Sequence, residues 1–323
     1  MRLPEVCFHV LESALVFTGR RIFVWLVFFS LLCLPANSQS LSDFHAIDVH
    51  LHAMNPEELN TAAATNFGAH RKTFGTNEHD PEALLRRTVA EMDKNHVSQG
   101  VISGDDEVIA KWMERCPSRF LPSYNHWCDG KPETVAKFES EWKSGKWKAI
   151  AELGLPYGGH PLNDPACFPL FEVAQRYEIP VFFYTGFGGP NPQSGFAHKF
   201  RILLSDPLLL EDVAIRFPKL KIVIMHMGWP FFDHALYMLW TYENVYLDTA
   251  TVSWMLAPRL FDRMLEETVR SVGSDRILFG SDQMVWPQMI SPAVEAIREA
   301  PFLSDQDKRN VLGENARRLL KLK

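Results

Sequence analysis

From Phe44 to the C-terminus, short runs of β-branched and aromatic residues alternate with longer amphipathic stretches, and no low-complexity linker interrupts them. This alternation constrains the fold more than any other feature, because strands separated by helices pair in parallel and build repeated βα units. Eight runs read as strands, at 46–50, 100–103, 120–124, 147–154, 180–186, 221–226, 245–249 and 276–282. Asp80-Pro81 starts a helix through Leu84, Leu85 and Met92, another passes through Phe232, Ala235, Leu236 and Leu239, and helices near 292–300 and 305–320 close the chain. With 46% hydrophobic residues the chain can bury one large core, and eight βα units predict an α/β fold, a single-domain (β/α)8 TIM barrel. A doubly wound open sheet is the alternative. It usually carries a glycine fingerprint after its first strand, and HLHAMNP has none.

The first 38 residues are of another kind. Arg20-Arg21 precede an apolar run from Ile22 to Leu34, too short to cross a bilayer comfortably, and Ala36-Asn37-Ser38 places small residues where a signal peptidase cuts. The reading is a signal peptide or hydrophobic leader over 1–38, faintly twin-arginine in character, followed by the barrel over 39–323. The protein is then exported, periplasmic or secreted, and an uncleaved membrane anchor is the alternative. A net charge of −6 without a long basic run excludes a phosphate-backbone footprint, so the expected partner is a small-molecule substrate and not nucleic acid. Membrane contact is expected only through the leader, and homo-oligomerisation stays open. Two of the five cysteines fall in the leader, and Cys116, Cys128 and Cys167 read as buried free thiols, with one bridge allowed in an oxidising compartment.

Function in such a barrel is built at the carboxyl ends of the strands, which here carry His50 and His52, Glu152, Tyr184, His226 and Asp282. Residues i and i+2 of a strand point the same way, so His50 and His52 can converge on one ion. Imidazoles with carboxylates suit a divalent metal, zinc first, and leave a position for water whose pKa the ion lowers. Asp282 is both a candidate ligand and a candidate base, and His226 a candidate hydrogen-bond donor or further ligand. Each has a duller reading: a core histidine, a carboxylate paired with a cation, an N-cap. Polar groups on four buried strand ends are costly unless they share a ligand. His126, after the third strand, is placed at the same mouth, and aromatics in the loops, among them Tyr157, Phe187, Trp127 and Trp286, are expected to shape an apolar pocket.

The ordered set IDVHLH, LKIVIMHMGWP, NVYLDTA, RILFGSDQ and DKRNVLGENARRLL resembles the amidohydrolase-related family of metal-dependent TIM barrels, which includes aminocarboxymuconate semialdehyde decarboxylase. The resemblance covers nearly all of the chain after the leader. It implies that His50, His52 and Asp282 bind metal and that His226 is catalytic or a second ligand. Where many relatives have a histidine ending strand 5, this chain has Tyr184, a poor ligand because its proton must first be lost near pH 10. Either Glu152 completes the coordination, or Tyr184 turns its hydroxyl to the substrate, or the site has lost its metal. The first expectation is hydrolysis of a lactone, ester or amide. The alternatives are nonoxidative decarboxylation of an unsaturated or aromatic acid, for which Arg71 and Arg201 are the candidate carboxylate holders, and a non-catalytic exported barrel.

Overall fold

The computed structural model describes residues 41, 44–64, 74–75, 77–188 and 197–323. The leader, Arg71, and the loop aromatics Phe67 and Phe196 lie outside the described residues. Eight strands, β1 Ala46–Ala53, β2 Val97–Gly104, β3 Phe120–Tyr124, β4 Ala149–Leu153, β5 Pro180–Phe183, β6 Lys221–Ile224, β7 Val245–Asp248 and β8 Ile277–Leu278, run parallel in sequential order. Two bonds bring the end of the β8 segment to β1: Val49 N–H donates to Phe279 O and Asp282 N–H donates to His50 O, both at 2.9 Å. The result is the (β/α)8 barrel that the alternation demands.

Helices α1 Pro56–Ala64, α2 Pro81–Lys94, α3 Asp106–Arg115, α4 Pro132–Lys143, α5 Phe168–Tyr177, α6 Leu210–Arg216 and α7 Phe232–Thr241 follow the earlier strands. They are succeeded by α8 Val252–Met255, α9 Pro258–Val272, α10 Ile290–Arg298, α11 Asp305–Arg309 and α12 Asn315–Leu319. Local chemistry sets several starts. Asp80 accepts from Glu82 N and Ala83 N ahead of Pro81, and Asp105 accepts from Glu107 N and Val108 N, satisfying amides that the first turn leaves unpaired. Asn55 and Glu58 cap α1 reciprocally at 2.9 Å, which fixes this helix at the barrel mouth.

The lumen is filled by Ile47, Val49, Val101, Leu121, Phe182, Val223 and Leu278, with Ala316 and Leu319 of α12 continuing the same cluster. Asn315 ties α12 to the start of β8 through Ser274 O and Ile277 O, both at 2.7 Å. A second apolar layer lies between strands and helices. Each fully buried Ile, Val or Phe contributes about 2 kcal/mol of transfer free energy, and these layers offset the cost of the polar mouth.

β1 departs from simple alternation. Asp48 pairs with Gly100 but Leu51 pairs with Ile102, so three steps on β1 match two on β2. With period two throughout, Ile47 and Val49 in the lumen would send His50 and His52 out among the helices. The extra residue inverts the phase, and Leu51 then packs outward while both histidines face inward. Gly100 makes room, since a Cβ there would lie 2.2 Å from Leu51 Cδ1.

Seven of the eight strands differ in bounds from the sequence expectation, by two or more residues in all but β7. β1 extends to Ala53, β6 stops at Ile224, and β8 is only two residues long. β6 is cut short where His226 and Met227 adopt positive φ of 56° and 49°, which no ladder accommodates, and β8 ends where Phe279 N–H turns to Val311 O at 2.9 Å.

The cysteine expectation is corrected. Cys128 and Cys167 form a disulfide with Cα atoms 4.9 Å apart, and Cys116 alone is a free thiol among the described residues. The bridge ties the loop after β3 to the start of α5. A pairing across 39 residues follows from the return of the chain over the barrel and not from any spacing motif. The chain from Gln39 onward, denatured without reductant, should titrate one thiol with Ellman's reagent and three after reduction; three without reduction would show the bridge absent.

Candidate metal centre

Four side chains from three strand ends converge at the mouth. His50 Nε2 lies 3.8 Å from Glu152 Oε2 and 3.9 Å from Asp282 Oδ1, while His52 Nε2 lies 3.6 Å and 2.9 Å from the same two atoms. A cation about 2.1 Å from each tetrahedral donor would space those donors about 3.4 Å apart. His50 Nε2 is buried with no hydrogen-bond partner, and Asp282 Oδ1 makes no aligned hydrogen bond despite its closeness to His52. The donors crowd one another, and these two atoms are left without an aligned hydrogen bond. Buried polar atoms left in this way are costly unless something occupies the space between them. His50, His52 and Glu152 form a donor set for a divalent metal, with Asp282 beside both imidazoles.

A second ring of contacts orients the donors. Asp248 Oδ2 is 3.1 Å from His50 Nδ1, and Ser103 Oγ is 3.4 Å from His52 Nδ1. Gln283 clamps the β1 backbone from both sides, accepting from His52 N at 3.0 Å and donating to His52 O at 2.9 Å. Thr251 donates its hydroxyl proton to Asp282 Oδ2, which leaves Oδ1 for the centre.

The electrostatics of the unligated cage follow from this crowding. Burial alone would raise the Asp282 carboxyl, but the adjoining His50 and His52 more than reverse this and hold it far below the usual carboxylate range. Glu152 is lowered in the same way against its burial. Burial pulls the imidazoles down, yet the charge of Asp282 with Asp248 and Glu152 puts His50 well above its ordinary value, and Asp282 and Glu152 raise His52. Both carboxylates are therefore ionised at neutral pH. A divalent ion would take over the positive charge that protons on the imidazoles otherwise supply.

The cage lies at one side of a cavity of about 560 Å³ lined by His52, Glu152, His226 and Asp282 with Tyr157, Tyr184, Phe187 and Trp286. His226 is 1% exposed, its ring centroid 5.2 Å from that of His50, and it makes no ion pair with Glu152 or Asp282. Its Nδ1 is 3.3 Å from Ala250 O. A carbonyl only accepts, so Nδ1 carries the proton and Nε2 points a lone pair outward when the ring is neutral. Nε2 also has no partner among the described residues.

Tyr184 lines the cavity, but its hydroxyl donates to Phe187 O, and burial pushes its pKa far above that of a free phenol. It is neither an ionised ligand nor a free oxyanion donor. Its ring meets the His226 ring edge-on, with centroids 5.2 Å apart, and acts as a wall.

His126 turns away from the mouth. It is exposed and pairs with Asp106 at 3.1 Å, and its neighbour Asn125 lines the cavity instead. Arg201 is likewise exposed, donates to His198 O and Phe200 O, and does not line the cavity. Arg71 lies outside the described residues. Trp127 is 55% exposed and covers Gly158 at the rim. Asp248, Thr251, Gln283 and Asn125 went unmarked in the sequence. Asp248 ends β7, where the strand-end rule finds it, whereas the other three sit in loops without periodicity.

A family described as amidohydrolase matches residues 47–322. The chain belongs to the amidohydrolase family. It is similar to protein fluG of Emericella nidulans, with 27% identity over 145 residues, 43% of this chain and only 16% of that longer protein. Among solved structures it is similar to a 2,6-dihydroxybenzoate decarboxylase complexed with 2,6-dihydroxybenzoate, with a TM-score of 0.62 and 18% identity over 86% of this chain and 100% of the other. It is also similar to a dihydroxybenzoic acid decarboxylase from Polaromonas sp. JS666 with bound manganese and 2-nitroresorcinol, with a TM-score of 0.60 and 19% identity over 86% and 97%. At such identities these likenesses bear on the fold alone.

Asp282→Asn and His50→Gln should each lower metal content, read by ICP-MS on protein purified without chelator, from near one ion per chain to below about a tenth. Tyr184→Phe should leave it unchanged. A loss in Tyr184→Phe equal to that in Asp282→Asn would make the tyrosine a ligand after all.

Proposed function

We propose that this amidohydrolase-family protein is a divalent-metal-dependent decarboxylase of aromatic or otherwise unsaturated carboxylic acids. The observation that carries the reading is the His50, His52, Glu152 and Asp282 cage at the side of a ring-sized cavity walled by Tyr157, Tyr184, Phe187 and Trp286. The fold neighbours named as benzoate-type decarboxylases support it. Zinc is the ion expected from the imidazole pair. Two carboxylate oxygens also suit manganese, the ion in the Polaromonas structure.

A bound ion would supply Lewis acidity to a carboxylate or an adjacent ring oxygen. The remaining work falls to the chain. The aromatic walls hold the ring and exclude water. His226, whose side chain lines the cavity and whose Nε2 has no hydrogen-bond partner among the described residues, carries the proton in transit, while Asp282 would be engaged by the ion and by Thr251. The proton adds to the ring carbon bearing the carboxylate, using a ring π pair. The C–C bond then breaks, its electron pair returns to the ring, and carbon dioxide leaves.

Hydrolysis of a lactone, ester or amide is the second reading, and one observation favours it. Among the described residues no Arg or Lys lines the cavity, whereas Glu57, Glu58, Glu152 and Asp282 do. A neutral substrate avoids that acidic rim. We further propose export, supported by the leader together with the Cys128–Cys167 bridge, a bond that persists in oxidising compartments.

The test is a panel of hydroxybenzoates and unsaturated acids, followed by carbon dioxide release, beside lactones and esters followed by acid release, with zinc- and manganese-loaded protein. Carbon dioxide release is expected, falling at least about 100-fold in His226→Gln with metal content retained. Acid release alone would transfer the assignment to hydrolysis.

A further inference from the structure

Asp248 ends β7 and is fully buried, and both of its oxygens are engaged around the centre. Oδ2 lies 3.1 Å from His50 Nδ1, while Oδ1 accepts from His226 N at 2.7 Å and from Ala250 N at 3.1 Å. We propose that Asp248 is the positioning residue of the site, holding His50 in the tautomer that presents Nε2 to the ion and anchoring the turn that carries His226 to the cavity. It does not line the substrate cavity, and although it stands with His50 and His226 in a second group of potential donors, its oxygens are already engaged by His50, His226 and Ala250. The proposal rests on the metal-centre reading and not on the class of reaction.

Elementary donor and acceptor chemistry leaves little freedom here. The carboxylate already accepts two backbone N–H bonds on Oδ1, and with Oδ2 accepting in the same way the His50 nitrogen that faces it carries the proton, so that a neutral ring has its lone pair on Nε2. That is the nitrogen facing Glu152 and Asp282 at 3.8 and 3.9 Å. The second task concerns backbone. His226 and Met227 sit at positive φ, where a residue with a Cβ is disfavoured. A short bond from the His226 amide to a charged acceptor counters that cost. The Ala250 amide bonds to the same oxygen, and the Ala250 carbonyl receives His226 Nδ1 at 3.3 Å. One carboxylate therefore fixes the His226 backbone directly and its ring through Ala250.

An amide cannot replace it at both tasks. Asp248→Asn with its oxygen toward His50 turns an NH2 group onto the His226 and Ala250 amides, donor against donor. With the oxygen toward those amides, the NH2 faces His50 Nδ1, drives the ring proton to Nε2, and blocks the nitrogen meant for the ion. Either orientation damages one histidine.

The experiment titrates metal-free wild type and Asp248→Asn with zinc against a competing chelator, after circular dichroism has checked the fold. Zinc affinity should fall about tenfold or more in the variant, and a smaller loss overturns the proposal. Wild type that binds no zinc would overturn the metal centre and this inference together, whereas equal binding by both chains would overturn this inference alone. Should the variant not fold, the wild type decides. In zinc-loaded protein carrying isotope-labelled histidine, His50, assigned by its through-bond connection to the sequential backbone resonances, should show a slowly exchanging Nδ1 proton and a metal-shifted Nε2 resonance. The reverse pattern overturns the proposal, and a role in packing alone predicts neither.

Discussion

The added residue of β1 between Asp48 and Leu51 is the constraint on which the site depends. A strand wedged between two neighbours cannot choose faces residue by residue, since its side chains alternate rigidly. The shift lets Ile47 and Val49 fill the lumen lower down while His50 and His52 face it at the mouth. The same few residues bring the β8 segment up to β1, because the His50 carbonyl receives the Asp282 amide and Asp48 Oδ1 receives the Ser281 amide at 3.0 Å. Ligand placement and barrel closure are one set of hydrogen bonds.

Around that set the site distributes charge unevenly. Glu152 and Asp282 stand in the cage, and Asp248 and Asp48 lie fully buried beneath it. Asp48 has one oxygen without a partner, and burial raises its pKa to about 7. No arginine or lysine side chain among those lining the cavity answers this negative charge. A cation is the economical answer, for it satisfies four donors at once where protons would satisfy them in part. Tyr184 fits this balance. A histidine in its place would add a fifth donor, whereas the phenol contributes only a wall against His226.

Much of this is legible in the sequence. The alternation of strands and helices carried the barrel, and polar residues at strand ends pointed to His50, His52, Glu152, His226 and Asp282, all of which reach one cavity or its cage. What stayed hidden has a common cause: it depends on backbone that leaves the regular periods. The inverted phase of β1 is invisible to a rule that counts by two. His126 and Asn125 are adjacent in a loop, where no parity tells which faces the mouth, and the ring goes to Asp106. Cys128 and Cys167 meet only because the chain returns over the barrel. Asp248 is different, since it sits at a strand end in VYLDT and the rule that found the others applies to it equally.

His226, Met227, Thr251, Asp282 and Met284 all hold positive φ, and all lie at the strand ends around the cavity. Each costs about 1 kcal/mol relative to glycine in the same conformation. The mouth is thus the part of the molecule that stability alone would not have chosen. Selection for heat resistance alone has no reason to keep a histidine, a threonine and an aspartate in this backbone, and a lineage under that selection would lose its chemistry long before it lost its barrel.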